Sequence, residues 1–462
     1  TRETLREAKH PSLGETMEEA RPVPRDPILL EILKNFFTTT AEEMGVALVR
    51  SAYSTHIKEA GDASSAIFDR EGRLIAQSLS GPLIHLASLR PALQELLLDY
   101  PADSMKEGDV FLFNDPFRGG AHSNDMMVYQ PTFFHGNLWF LTGAIIHVAD
   151  VGGLSAGGLP ANATEMFHEG LILPPVKLAE AGQPKDNLKK LIKANSRTPE
   201  KVEGDINAMM AAANVGADSI LSLVAKYGHE ELLAISRELM DYSERRTRQE
   251  IERLPPGSYQ ASFNIDDDGI DFERSFTVRV TVEIKGSTFR VDLTGTDKQA
   301  KGPINASISQ AMSGVLYAFR CFIDPTIPMN EGCYWPLEVV FPEGTLVNPK
   351  PPAACNARMA TVMAIIEAMV QALSRAFPEK AAAVSSNVHT YTMNGLDGAT
   401  GRVWTFLDAQ YGGVGARSIK DGVDATGPYI IGSGGSPWGV EAYESEYPVL
   451  FERFQLWDDS GG

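Results

Sequence analysis

Apolar residues recur at helical spacing at Ile28, Leu29, Ile32, Leu33, Phe36 and Phe37, and again at Met44, Ala47 and Leu48. Asp26-Pro27 in front supplies an N-cap and a proline at the first helical position, so one long or broken helix is expected to about Tyr53. Ala66-Ile67-Phe68-Asp69 and Leu74-Ile75-Ala76 then flank Arg70-Glu71-Gly72, the pattern of a β-hairpin. From Val110 to Val151 the period changes to two, through VFLFND, MMVYQPTFF and LWFLTGAIIHV, with His135-Gly136-Asn137 as a turn. That predicts a meander of half-buried and fully buried strands. VGGLSAGGLPANATEMFHEGLILPPVKL reads as a glycine-rich loop, a substrate cover or a connector, and KDNLKKLIKAN as a charged helix.

Residues 200–253 read as helices, closed by Pro255-Pro256. YQASFNI, SFTVRVTVEI and TFRVDLTG read as strands, 303–322 and 356–377 as helices, and the last hundred residues as glycine-rich β structure. The expected class is α+β: mixed helices and antiparallel-rich sheets in a multi-lobed chain. Three segments are expected: a polar tail over 1–25 that can drape over a partner, a metal-bearing α+β region over 26–255, and a β-rich region with two helices over 256–462.

Composition narrows the function without naming it. The 462 residues are 43% hydrophobic and 22% charged, ordinary for a globular protein, and length alone allows about three domains. A net charge of -19 excludes a nucleic-acid surface, which needs clustered basic residues. The three cysteines, Cys321, Cys333 and Cys355, have no C-x-x-C spacing, so free thiols in a reducing compartment are expected. No run approaches 18 apolar residues and no signal pattern opens the chain, which makes the cytoplasm the expected location, with no membrane partner. A first residue Thr1 and an abrupt DDSGG ending lead to the expectation that sequence is missing at one or both ends.

The chemistry gathers in NDPFRGGAHSND, where His122 and Asp125 stand three residues apart, and in LTGAIIHVADVGG, where Asp150 stands three behind His147. His122 and Asp125 enter one strand and His147 leaves its hairpin partner, so antiparallel pairing brings these ends together. Imidazole and carboxylate donors suit a catalytic divalent metal better than a structural one, which would call for cysteines. A lone strand histidine is more often a satisfied core residue; two histidines and an aspartate at paired ends raise the metal reading beside that one. Asp62, after Gly61, reads locally as a turn aspartate, and as an extra ligand only in a sharper reading. His85 either points into the site or packs beneath it, and His56 and His168 are weaker candidates. Cys355 precedes a predicted helix whose dipole could lower its pKa, but a buried structural thiol is the commoner case. Asp266, Asp267, Asp268 and Asp271 lack EF-hand spacing and read as a solvated turn. No Walker A, G-x-S-x-G or dinucleotide fingerprint is present.

The segments DPILLEILKN, AEEMGVALVRSAYS, FNDPFRGGAHSND, HVADVGG, ATEMFHEGLILPPVKL, DLTGTDKQAKGPIN and YPVLFERFQLWDDSGG resemble the hydantoinase B / 5-oxoprolinase family from about residue 26 onward. That resemblance implies the B subunit of an ATP-dependent cyclic amide hydrolase acting on hydantoins or lactams. It further implies zinc or manganese at His122, Asp125 and His147, and it promotes Asp62 to a fourth ligand. ATP would sit on a separate A-type partner in a hetero-oligomer, and water activated by the metal would attack a carbonyl the partner has O-phosphorylated, with phosphate leaving. Asp150 or His85 would orient that water or carry its proton. The runner-up is the equivalent subunit of an acetone- or acetophenone-type carboxylase, and a non-catalytic assembly subunit with a structural metal is a third reading. Two departures stand out: the family's second histidine is Val148 here, a change expected to reshape the pocket, and the Arg and aromatic flanks of Asp62 are replaced in EAGDASS. The family's chains also continue beyond this ending.

Overall fold

Asp26 accepts a hydrogen bond from the Ile28 N–H at 2.9 Å, and Pro27 opens helix α1 (Pro27–Ser51), as the N-cap pattern predicts. The computed structural model describes residues 26–85, 87–427 and 439–456; the tail expected over 1–25 and the DDSGG ending lie outside them. A short helix α2 (Thr55–Ala60) follows, and Gly61 leaves it at φ 67°.

The expected hairpin is β1 (Ala63–Asp69) with β2 (Leu74–Gln77), and helix α3 (Leu89–Asp99) comes after it. The period-two stretch gives β3 (Val110–Phe113), β4 (Asp125–Phe134) and β5 (Asn137–His147). At the end of the expected loop Val176–Glu180 forms β6, and Gln183–Pro184 between that loop and the expected charged helix forms β7, both differences from the sequence reading. The order β2-β1-β5-β4-β3-β6-β7 makes one seven-stranded sheet.

Both faces of this sheet are apolar, and residue parity sorts them. Val110, Leu112, Met126, Val128, Ala144 and Ile146 pack with Ile206 and Met209 of helix α5 (Pro199–Tyr227), which follows α4 (Asp186–Ala194). Phe111, Phe113, Met127, Tyr129, Leu141 and Ile145 face the other way, into a core shared with α3 and the C-terminal half. By the same parity Asp125 and His147 point toward the C-terminal half. At about 25 cal/mol per Å² of apolar area, this two-sided burial is what holds the two halves together.

Helix α6 (His229–Arg253) ends before Pro255, as expected. Strands β8 (Gly257–Ile265), β9 (Phe276–Lys285), β10 (Thr288–Asp292) and β11 (Leu337–Val340) form a second sheet, with β11 joining β10 in parallel. Helices α7 (Ile308–Arg320) and α8 (Met359–Ser374) fall inside their predicted ranges and pack with β9 in the core that also holds Phe68 and Phe113. That core runs across residue 255 without a break. A hairpin of β12 (Val388–Leu396) and β13 (Val403–Tyr411) precedes helix α9 (Val440–Glu446), where β structure was expected. Tyr443 explains the helix: it is buried, its ring centroid lies 4.4 Å from that of Phe406, and its hydroxyl donates to Asp408 at 2.5 Å.

One further reading changes. Asp268 is buried, not solvated, and accepts N–H bonds from Ile270, Asp271 and Gly302. Helix α5 is long and apolar enough to cross a membrane by length and composition, although polar residues interrupt it and it holds no continuous run of 18 apolar residues. Its apolar face is the one packed on β4 and β5.

Candidate metal centre

Strand pairing makes Asp125 and His147 direct partners across β4 and β5. Ala63 of β1 pairs with Ile146, and the His147 N–H approaches the Asp62 carbonyl at 3.5 Å, so Asp62, His147 and Asp125 form a row across three strands. Opposed residues of an antiparallel pair project to one face. His122 reaches the same point from the turn before β4, where the Asp125 N–H bonds back to the His122 carbonyl at 3.0 Å. The antiparallel argument from sequence therefore holds for this trio.

Three atoms converge. His122 Nε2 lies 3.1 Å from Asp125 Oδ1 and 3.2 Å from His147 Nδ1, and His147 Nδ1 lies 3.5 Å from Asp125 Oδ1. All three residues are buried. Asn356 Nδ2 donates to the Gly158 carbonyl at 2.7 Å, which turns its Oδ1 to His122 Nδ1 at 3.2 Å. Nδ1 therefore carries the proton and Nε2 presents a lone pair. Burial, with Arg358 nearby, drops the His122 pKa to about 4, so the ring is neutral. Burial would raise Asp125, yet the Arg358 guanidinium paired with it holds its carboxyl well below the usual range. A lone pair thus faces a carboxylate oxygen, and among the described residues Asp125 Oδ1 and His147 Nε2 find no hydrogen-bond partner despite their burial.

A cation between these atoms resolves that opposition. A tetrahedral ion with bonds of about 2.0–2.1 Å separates its ligands by roughly 3.3 Å, and the three observed edges bracket that value. Two imidazoles and one carboxylate are the donor set of a divalent site with a position left open.

The surroundings hold the trio in place. Arg358 Nη2 donates to Asp125 Oδ2 at 2.9 Å while its Nε donates to Gln310 Oε1 at 2.9 Å. Asn124 Nδ2 donates to the Val148 and Gly157 carbonyls, pinning the glycine-rich loop over the site. Gly158 must lack a side chain: at φ 69° a Cβ would stand 2.1 Å from Asn124 Oδ1. His56, neutral because burial drops its pKa to about 4, donates from Nε2 to the His147 carbonyl.

Asp62 and His85 form a neighbouring pair, His85 Nε2 lying 3.7 Å from Asp62 Oδ1 and its Nδ1 3.2 Å from Ser64 Oγ. The Asp62 side chain is 30% exposed, the one such member of this group, so solvent reaches the site past it. It stands outside the trio whose ligand atoms lie within 4.8 Å of one another. The structure does not bring Asp150 there either. Its carboxylate accepts the N–H groups of Gly152, Gly157 and Arg197 and the Arg197 guanidinium, which fastens the loop. His168 sits apart beside Glu165.

Sequence reasoning missed Asn356, Arg358 and Glu169. Arg358 caps α8 at the end where the helix dipole disfavours a cation, and that misfit was the available signal of an anionic partner. Cys355 is buried, and burial beside Glu169 pushes its thiol well above the ordinary range, the reverse of a dipole-activated cysteine. Val148 packs on the opposite face of the sheet, in the core with Val151 and Leu173, so this departure does not reshape the metal side.

Glu169 Oε1 accepts the Cys355 and Asn356 N–H groups at 2.7 and 2.8 Å, and burial pushes its pKa up to about 8. A raised carboxyl stabilises the fold below the ordinary pKa of about 4.5, and that contribution is lost as pH rises to about 8. Glu169→Gln keeps the acceptor without the charge. Urea unfolding is expected to show the wild type losing roughly 1–4 kcal/mol between pH 5 and pH 9 that the variant does not lose. Equal pH slopes would refute the assignment.

Comparison with known proteins gives concordant matches. The sequence profile described as Hydantoinase B/oxoprolinase matches residues 26–462. The beta subunit of caprolactamase from Pseudomonas jessenii is 33% identical over 95% of this chain and 75% of its own length. The putative B subunit of a D-/L-hydantoinase from Pseudomonas sp. (strain NS671) is 30% identical over 94% of this chain and 75% of its own. The crystal structure of ATP-dependent caprolactamase from Pseudomonas jessenii superposes with a TM-score of 0.86 at 31% identity, covering 94% of this chain and 75% of that one. A nucleotide-free acetone carboxylase structure gives 0.84 at 19% identity over 92% and 58%, a likeness of fold alone.

Proposed function

The chain belongs to the hydantoinase B/oxoprolinase family, and from that premise we propose that it is the metal-containing B subunit of an ATP-dependent cyclic amide hydrolase. The likeness along almost the whole chain to relatives named as subunits of a hydantoinase and a caprolactamase carries this reading. The partner is an A-type subunit that binds ATP and phosphorylates the amide oxygen, and the pair works in the cytoplasm.

His122, Asp125 and His147 would hold zinc or manganese, and Asp62, just before β1, would complete the set. When bound, such an ion supplies Lewis acidity and lowers the pKa of water. Asn356 keeps the His122 lone pair aimed inward, and Arg358 keeps Asp125 ionised. Water adds to the O-phosphorylated carbon, and the ring nitrogen must leave before phosphate, because loss of phosphate first would restore the amide. That nitrogen needs a proton to depart, and His85, beside Asp62, would deliver it. A second water then releases phosphate from the acyl group, leaving an amine and a carboxylate. Asp150 serves as a positioning residue that fixes the loop over the site.

Turnover of a hydantoin or lactam with ATP by the co-expressed pair, against a ketone with bicarbonate, tests the reading. Ring opening coupled to ATP hydrolysis is expected; carboxylation of the ketone without ring opening would replace it with the carboxylase reading.

A further inference from the structure

Glu367 lies nine residues beyond Arg358 along α8, about 14 Å at 1.5 Å per residue, and so belongs to a different part of the molecule from the metal trio. It is 1% exposed. Its Oε1 accepts the Ser385 N–H at 3.1 Å, and its Oε2 has no hydrogen-bond partner among the described residues. The side chain forms part of the wall of a cavity of about 430 Å³, a size that suits a small ligand. Asp266 and Asp267 share this wall, and among the described residues no lysine, arginine or histidine does. Phe263, Met363 and Val384 supply apolar surface beside the acids.

Burial pushes Glu367 up to about 7, since ionisation there has no cation to balance it. A bound cation would balance it. A bare metal ion fits poorly, because the trio at His122 is the one group of three or more ligands found to converge among the described residues. An organic cation with an apolar stem matches both kinds of wall.

We propose that this cavity binds an alkylammonium group, with its charge against Glu367 and its stem along Phe263 and Met363. A free amine and a lysine side chain of the partner subunit share this chemistry.

The test is titration of the full chain with n-butylammonium and, separately, with n-butanol, followed by thermal unfolding and by chemical shifts of labelled methionine methyls. Saturable stabilisation by the ammonium, at least tenfold weaker with butanol or in Glu367→Gln, is the expected result. Glu367→Gln retains the acceptor for the Ser385 N–H and should fold. Asp266→Asn, at an exposed position, is expected to weaken the ammonium severalfold and guards against a folding defect in the first variant. Equal binding of butanol, unchanged binding in Glu367→Gln, or no saturable response in the wild type would overturn the proposal. Repeating the titration on the complex separates the sources: a partner lysine blocks the amine, whereas a free-amine site keeps its affinity.

Discussion

His122→Ala is expected to lose the bound divalent metal and to cut turnover by roughly a thousandfold or more, about 4 kcal/mol of barrier, while the chain stays folded. Nε2 of His122 is one corner of a three-donor site, and two remaining donors hold a cation poorly. The fold should survive because the His122 side chain hydrogen-bonds to Asn356 and otherwise faces its fellow donors, so its loss removes no side-chain bond that joins the strands. Emptying its place costs a cavity, about 1–3 kcal/mol, and removes the lone-pair opposition that the metal-free site carries. Elemental analysis and activity assays on the same preparations check this, with circular dichroism to confirm folding. A variant that keeps its metal and loses activity would show that the ligands lie elsewhere. A variant that keeps both would refute the site itself.

Arg358→Met should be the most destabilising change near the site, by about 3–5 kcal/mol in chelated protein, because it strands the buried Asp125 carboxylate without its cation. Metal at the trio would neutralise the same carboxylate, so the loss should shrink when the site is loaded. Denaturant unfolding of both proteins, with and without chelator, measures this coupling. An identical loss in both conditions would mean that Asp125 does not face the ion. The pH dependence has a definite sign. Asp125 is held below the ordinary carboxylate range, so it stabilises the fold above about pH 4 and that contribution is lost as pH falls through its folded value. Without Arg358 the loss should begin at higher pH.

Much of this was legible along the chain because it depends on neighbours in sequence. Asp26-Pro27 starts α1, Gly72 turns the first hairpin, and the period of two marks β3 to β5. That short hairpin also pairs Asp125 with His147, so the convergence of the candidate ligand trio is legible in the order of residues alone. Its parts lie within 26 residues of one another.

Tertiary structure alone decided the rest. The parity of β4 could not say which apolar face meets which layer, since both faces are buried. The register of β1 on β5 brings Asp62 into the row, and the apolar character of the strands alone fixes no such long-range alignment. Asn356 and Arg358, more than 200 residues from the trio, arrive because α8 packs in the core beneath the first sheet. Asp150, three residues from His147 in the pattern that suggested catalysis, turns instead to Arg197 and the glycine loop. Local spacing sets which donors a strand pair can present; the charge that balances them and the amide that orients them come from elements brought close only by burial of the shared core.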